Sequence, residues 1–151
     1  MVVIGSDHGG LELKQAVRAA LIALGLKVVD YGTDNGDSVD YPDFAEKVAR
    51  AVSHGESELG ILICGTGIGM SIVANKFPGV RAALATDEFM AKMAKEHNNA
   101  NILVLGGRVL SPEQAIKMVN IWLESSFQGG RHQRRLDKIA LLEDAVRAGK
   151  V

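Results

Sequence analysis

The segment Cys64-Gly65-Thr66-Gly67-Ile68-Gly69 combines a nucleophile with an unusually glycine-rich loop, and it holds the single cysteine of the chain. Three glycines in five residues, followed by a predicted helix, allow several backbone N–H groups to point at one anion. The same N–H groups would stabilise a thiolate on Cys64. A thiolate beside an oxyanion cradle is what an enolisation requires: a base for a carbon-bound proton and donors for the developing oxyanion.

The Cys64 loop can also be compared with a purely structural cysteine and with two known glycine-rich motifs. A single cysteine at a strand end is often a small buried side chain with no reactive role. The loop differs from the dinucleotide-binding fingerprint, because Met70 stands where a final glycine would be needed. It also lacks the Gly-Lys-Ser/Thr sequence of a phosphate-binding P-loop. The pattern therefore predicts an anion cradle with a cysteine beside it.

Two further loops carry polar side chains near predicted strands. Asp7 and His8 directly follow the first strand, and His97 and Asn98 lie between the fourth helix and the fifth strand. Ligands bind beyond the carboxyl ends of the strands in an open parallel sheet, so we expect these side chains to join the Cys64 loop. Taken singly, Asp7 could be a helix N-cap and His97 a cation at a helix C-terminus.

A basic segment lies near the C-terminus. Between residues 130 and 139 there is one acid, Asp137, and the basic side chains are Arg131, His132, Arg134, Arg135 and Lys138. Arg131 and Arg135 are four residues apart, which puts them on one helix face if the helix includes both. Planar arginine donors suit a phosphate dianion, although a solvated helix face would have the same composition.

Composition places these motifs in an ordinary globular domain. The chain has 151 residues, 47% apolar and 23% charged residues, and a net charge of −1. Near-neutral charge argues against non-specific nucleic-acid binding. The N-terminus has no signal-peptide pattern and no run of about 18 apolar residues occurs, so we expect neither secretion nor membrane insertion. A lone cysteine fits the reducing cytoplasm.

Short apolar runs alternate with segments of helical period along the chain. The predicted strands are 1–5, 26–30, 59–63, 80–85 and 102–105; the predicted helices are 11–24, one from Pro42, 69–76, 87–96, one from Ser111-Pro112, and 133–148. Right-handed crossovers then give an α/β fold, a Rossmann-like three-layer αβα sandwich with a five-stranded, mostly parallel sheet. We expect one domain over 1–151, whose last helix packs on this subunit or reaches across to a partner.

Five segments can be matched as motifs, in order, over nearly the whole chain. They are Ser6-Asp7-His8-Gly9-Gly10, Ser38-Val39-Asp40-Tyr41-Pro42-Asp43, Cys64-Gly65-Thr66-Gly67-Ile68-Gly69-Met70-Ser71, Glu96-His97-Asn98-Asn99-Ala100-Asn101 and Phe127-Gln128-Gly129-Gly130-Arg131-His132. Together they closely resemble the type B ribose-5-phosphate isomerases, a family that includes the galactose-6-phosphate isomerase subunits. The resemblance implies an aldose-ketose isomerase without metal or cofactor, which interconverts ribose 5-phosphate and ribulose 5-phosphate through a cis-enediolate.

The same resemblance implies roles for individual residues. Cys64 would be the base. The oxyanion would be held by the backbone N–H groups of Gly65, Thr66, Gly67, Ile68 and Gly69. His97, with Thr66 and Asp7, would open the sugar ring, and Asn98 would bind a hydroxyl. The phosphate would be clamped by His8, Arg108, Arg131 and Arg135. One branch of the family uses a glutamate base instead, but position 64 here is cysteine.

The resemblance also implies a homodimer or a dimer of dimers with sites between subunits. Two alternatives stay open. The first is that the substrate is a hexose 6-phosphate such as allose or galactose 6-phosphate, because pocket length decides between pentose and hexose and the sequence does not reveal it. Galactose-6-phosphate isomerase divides the catalytic residues between two chains, whereas this chain carries all of them, which favours the pentose. A nucleotide-binding regulatory module is the other, because Asp30 ends the second predicted strand where dinucleotide folds place their ribose-binding acid. Asp7, however, would repel a pyrophosphate.

Overall fold

A five-stranded, entirely parallel sheet forms the centre of the molecule. The computed structural model describes residues 1–151. The strands are β1 (Val2–Ser6), β2 (Val28–Asp30), β3 (Leu59–Cys64), β4 (Ala82–Leu84) and β5 (Ile102–Gly106), in the order β2-β1-β3-β5-β4. Every neighbouring pair is parallel. The predicted α/β fold is confirmed, and each strand lies within two residues of its predicted position.

Six helices follow the predicted order. They are α1 (Leu11–Ala23), α2 (Tyr41–Ser53), α3 (Ile68–Ala74), α4 (Glu88–Glu96), α5 (Pro112–Glu124) and α6 (Arg131–Arg147). Ser111 caps α5 with a reciprocal capping box to Gln114, as serine before proline predicts. A short 3-10 turn over His8–Gly10, which the sequence pattern did not predict, precedes α1.

The two faces of the sheet carry separate apolar cores. Helices α1, α4 and α5 pack on one face, and α2 and α3 pack on the other. Side chains alternate along β3, so Ile63 faces the first core whereas Cys64 faces α2 and α3. The position of Cys64 in the strand thus directs its side chain toward α3, the helix that follows its loop.

The edges of the sheet and the last helix differ from this central part. The edge strands β2 and β4 have three residues each. Helix α6 exposes four apolar side chains, those of Ile139, Leu141, Leu142 and Val146. A hydrogen bond from the Gly79 N–H to the Glu143 carboxylate connects α6 to the segment before β4. None of the helices combines the length and apolar content needed to cross a membrane.

Candidate active site

The loop after β3 presents free hydrogen-bond donors beside the cysteine. The Gly67 N–H donates to Cys64 Sγ at 3.1 Å, and the Ile68 N–H donates to Thr66 Oγ1 at 3.2 Å. The N–H groups of Gly65, Thr66 and Gly69 have no acceptor within the chain. Cys64 itself is 5% exposed. The loop can therefore stabilise a thiolate with one N–H group while other N–H groups remain available for an anion.

Two glycines in this loop are required by the surrounding structure. Gly67 has a φ of +84°, and a Cβ there would lie 2.6 Å from a methyl carbon of Leu84. A Cβ on Gly69 would lie 2.5 Å from Cζ of Tyr41, whose ring covers the start of α3. Tyr41 had no role in the sequence interpretation, although one of the matched motifs contains it. Its ring forms a wall of the cradle.

Neighbouring loops are joined to the cysteine loop by backbone hydrogen bonds. The Asp7 N–H donates to Ile63 O at 3.3 Å, the Gly107 N–H to Cys64 O at 2.7 Å, and the Arg108 N–H to Gly65 O at 2.9 Å. We call Asp7, His8, residues 64–69 and Arg108 the carboxyl-edge cluster. As the sequence predicts, these loops come together where the strands end.

Two side chains of the cluster have defined hydrogen bonds. Asp7 is buried, and its Oδ1 accepts the Gly10 N–H at 3.1 Å, so the N-cap interpretation of Asp7 is confirmed. His8 Nδ1 accepts the Val39 N–H at 3.2 Å, so a neutral His8 carries its proton on Nε2 and can donate it there. His8 and Arg108 line a cavity of about 480 Å³, whose lining includes the acidic Glu12.

His97 and Asn98 lie at the opposite end of the sheet. Helix α4 returns from the carboxyl end to the amino end of the sheet, and His97 is its C-cap. Cys64 pairs with Gly106 in the sheet, whereas the His97 turn enters β5 at Ile102. Four residues of strand, about 13 Å, separate the two levels. The prediction that His97 and Asn98 join the Cys64 loop is therefore wrong within one chain.

A histidine that the sequence interpretation left without a role completes this second region. The rings of His97 and His132 stack with their centroids 4.1 Å apart and 13° between their planes. His132 is 6% exposed. Burial holds the pKa of His132 below its ordinary 6.5, and His97, Arg131 and Arg135 lower it further. The one sequence signal was that both histidines stand in matched motifs, His97 in the fourth and His132 in the fifth, and this does not say that the two rings meet.

The two predicted phosphate-binding arginines of the basic segment belong to this second region. Both Arg131 and Arg135 lie on α6, exposed and four residues apart. The chain just before α6 is fixed to α4, because Gln128 donates from its backbone and its side chain to Glu96, each at 3.0 Å. We call His97, Asn98, Arg131, His132 and Arg135 the amino-edge cluster. A single chain therefore does not bring Arg131 and Arg135 to His8 and Arg108.

The carboxylate of Asp30 is hydrogen-bonded within the protein. Its Oδ1 accepts the Lys14 Nζ proton at 2.7 Å and the Gly32 N–H at 2.8 Å, and the Lys14 side chain is 2% exposed. An acid that binds a ribose must present free carboxylate oxygens to the ligand. The hydrogen bonds of Asp30 therefore give the nucleotide-binding alternative no support.

Known proteins resemble this chain over nearly its whole length. Residues 2–139 match the family model described as Ribose/Galactose Isomerase. The Escherichia coli ribose-5-phosphate isomerase B is 44% identical, with 94% of this chain and 95% of that protein covered.

Solved structures agree with that match. A Clostridium thermocellum ribose-5-phosphate isomerase B is 52% identical with a TM-score of 0.94, covering 96% of this chain and 98% of the other. The Mycoplasma genitalium enzyme, solved with bound ribulose 5-phosphate, is 46% identical with a TM-score of 0.92, covering 95% of each chain. The chain belongs to the ribose/galactose isomerase family.

Proposed function

We propose that this protein interconverts ribose 5-phosphate and ribulose 5-phosphate through a cis-enediolate, with Cys64 as the base. The observation that carries the proposal is the Gly67 N–H donating to Cys64 Sγ at 3.1 Å, in a loop where the N–H groups of Gly65, Thr66 and Gly69 have no acceptor within the chain. That arrangement brings a sulfur that accepts a hydrogen bond and donors for an oxyanion together in one place. The relatives named above, one of them bound to ribulose 5-phosphate, support the same substrate pair.

The proton transfers follow from the open-chain sugar. Cys64 Sγ takes the proton from C2 of the aldose, and negative charge develops on O1, where the loop N–H groups can hold it. The proton of the O2 hydroxyl passes to O1, the thiol returns its proton to C1, and O2 becomes the ketose carbonyl. One base acting on one face of the enediolate is sufficient.

The amino-edge cluster supplies the other functions that the reaction needs. His97 would open the furanose ring by proton transfer at the ring oxygen, assisted by Thr66 and Asp7, and Asn98 would bind a hydroxyl. Asn98 is exposed and makes no side-chain hydrogen bond within the chain, so its amide is free for a ligand. Arg131 and Arg135 would bind the phosphate together with His8 and Arg108.

A complete site then needs two copies of the chain, the carboxyl-edge cluster of one and the amino-edge cluster of the other. Exposed apolar side chains lie beside both clusters: Ile68 and Ile72 on α3, and Ile139, Leu142 and Val146 on α6. Such side chains are typical of surfaces buried between subunits. We propose a homodimer, alone or paired into a dimer of dimers, working in the reducing cytoplasm that keeps Cys64 a free thiol.

Complementation between inactive variants tests this arrangement. Cys64→Ala and His97→Asn, each inactive alone, are co-expressed with different affinity tags, and the mixed dimer is purified. With two-fold symmetry, one of its two sites contains neither substitution, so about half of the parental activity should return. Mixed dimers without activity would contradict the shared site. Absence of ribose 5-phosphate isomerisation by the parent would contradict the function itself.

A hexose 6-phosphate remains the second candidate substrate. This chain carries both the Cys64 loop and the His97 turn, which favours a single-chain pentose enzyme over a subunit of a two-chain galactose-6-phosphate isomerase. The deciding measurement is kcat/KM for ribose, allose and galactose phosphates under one set of conditions. We expect ribose 5-phosphate to be preferred, and a strong preference for a hexose phosphate would overturn that choice.

A further inference from the structure

The turn that carries His97 and Asn98 is held by a residue from another strand. Asn99 ends this turn with a φ of +43°, which is uncommon for a residue other than glycine. Its N–H donates to Lys95 O at 3.1 Å. Its carbonyl accepts the Nε–H of Arg81 at 2.9 Å. Arg81, just before β4, thus holds the carbonyl of the residue next to Asn98 through a direct hydrogen bond.

Arg81 is bound on several sides, so its side chain has little freedom. Its backbone N–H donates to Asn101 Oδ1 at 2.7 Å, and its Nη1 lies 3.4 Å from Gly79 O. Asn101 also donates from Nδ2 to Gly79 O at 2.9 Å. These contacts join the entry to β4 and the entry to β5 into one unit that includes the His97 turn.

A half-buried guanidinium is costly, which indicates that its contacts matter. Burial lowers the pKa of Arg81, and Glu143 on α6 opposes that shift. Arginine stays protonated in proteins even when burial disfavours the charge. An uncharged polar side chain could fill the same space at lower desolvation cost, but it would not offer the fork of donors that reaches Asn99 and Gly79.

We propose that Arg81 is a positioning residue for sugar-ring opening, which holds the His97–Asn98 turn in place through the Asn99 carbonyl. This inference rests on the proposed role of His97. Arg81 touches the backbone of the turn and no part of the carboxyl-edge cluster. Its loss should therefore impair ring opening while leaving the proton transfer at Cys64 intact.

Two assays separate these steps. Isomerisation of ribose 5-phosphate requires ring opening. Ribulose 5-phosphate has no free hydroxyl able to close a five-membered ring, so exchange of its C1 hydrogen with deuterated water, followed by proton NMR, requires no ring opening. It needs the bound phosphate, Cys64 and the cradle, but not the proton transfer assigned to His97. The test variant is Arg81→Gln, and the matched control is Arg50→Gln on α2, whose exposed side chain pairs with Glu46 of its own helix.

We expect Arg81→Gln to lower kcat/KM for ribose 5-phosphate by at least about tenfold while hydrogen exchange stays within about threefold of the parent. His97→Asn should give the same separation more strongly, and Arg50→Gln should change neither rate. If Arg81→Gln does not fold, Arg81→Lys serves instead, because lysine keeps the positive charge but has no Nε–H to donate to the Asn99 carbonyl. The same separation of rates is expected for it.

Unchanged isomerisation in these variants, or an equal fall in isomerisation and exchange, would overturn the role of Arg81. A separation in Arg81→Gln without one in His97→Asn would also overturn it, because Arg81 would then not act through His97. A parent protein with neither isomerisation nor exchange would refute the proposed function, and the inference with it. The parent and His97→Asn measurements thus distinguish the two kinds of failure.

Discussion

The two clusters are built from different materials. The carboxyl-edge cluster surrounds Cys64 mainly with backbone N–H groups, whose direction depends on glycines that admit no Cβ, Gly67 and Gly69. The amino-edge cluster consists of side chains at a helix end and a helix start, where His97 stacks on His132. Backbone donors are fixed by the fold, whereas side-chain donors depend on their neighbours.

Because of this difference, substitutions in the two clusters should have different effects on activity. In the carboxyl-edge cluster a single side chain, Cys64, carries the proposed proton transfer, and the N–H groups around it belong to the backbone, where only substitution by proline would remove one. In the amino-edge cluster, binding and ring opening are distributed over several side chains. We therefore expect one very large effect at the first cluster and graded effects at the second.

The largest effect is expected from Cys64→Ala. Removal of a general base typically costs 10²- to 10⁴-fold, so isomerisation and C1 hydrogen exchange should both fall by about 10³-fold. Binding of the sugar phosphate, measured by calorimetry, should stay within about tenfold, because the thiolate acts on the transition state. Cys64→Ser, which keeps the size of the side chain but not its basicity, should be as inactive. Unchanged kcat would remove Cys64 from the mechanism.

An intermediate effect is expected from Arg131→Ala. One charge-assisted hydrogen bond is worth about 1.5 to 3 kcal/mol, so KM should rise by roughly tenfold or more with a smaller change in kcat. Steady-state kinetics with ribose 5-phosphate measures both. Arg134→Ala, an exposed arginine of the same helix outside the cluster, is the matched control and should leave KM unchanged. A normal KM for Arg131→Ala would refute its part in the phosphate clamp.

The smallest effect is a pH dependence of stability at the histidine pair. Because the fold lowers the pKa of His132, the unfolded chain binds more protons near pH 6.5. This contribution to stability is complete well above pH 6.5 and is lost as the pH falls through and below that value. The thermal midpoint of the parent should therefore fall more on acidification than that of His132→Phe, which still stacks but cannot titrate.

The matched control for that comparison is the exposed His54. His54→Gln should reproduce the pH profile of the parent, because this side chain lies outside the stacked pair. Equal profiles for the parent and His132→Phe would show that His132 is not responsible for the pH dependence.

Much of the fold was predictable, because strand and helix periods, the Ser111-Pro112 cap and the glycine loop are local signals. The cradle at Cys64 was predictable for the same reason: its donors lie next to the cysteine in sequence. The position of His97 was also accessible, since a helix between parallel strands must return to the amino end of the sheet. The residue types of the His97 turn resemble those of the loops after the strands, and residue type alone does not indicate at which end of the sheet a turn lies.

Contacts between distant segments could not be predicted in this way. His132 stacking on His97, Tyr41 covering Gly69 and Arg81 holding Asn99 each join residues far apart in sequence. Periodicity describes which face of an element is apolar, but it does not say which side chains from two elements meet. Such pairings follow from tertiary packing and were visible only in the folded chain.

The two short edge strands have a consequence for assembly. A long exposed edge would let another chain add to the sheet by backbone hydrogen bonding, and edges of three residues offer little template for such growth. In the proposed homodimer, the two copies would then meet through helices and loops, the surfaces that carry both clusters. Short edge strands thus disfavour open-ended polymerisation through the sheet, and they are compatible with the closed pair that the proposed shared site requires.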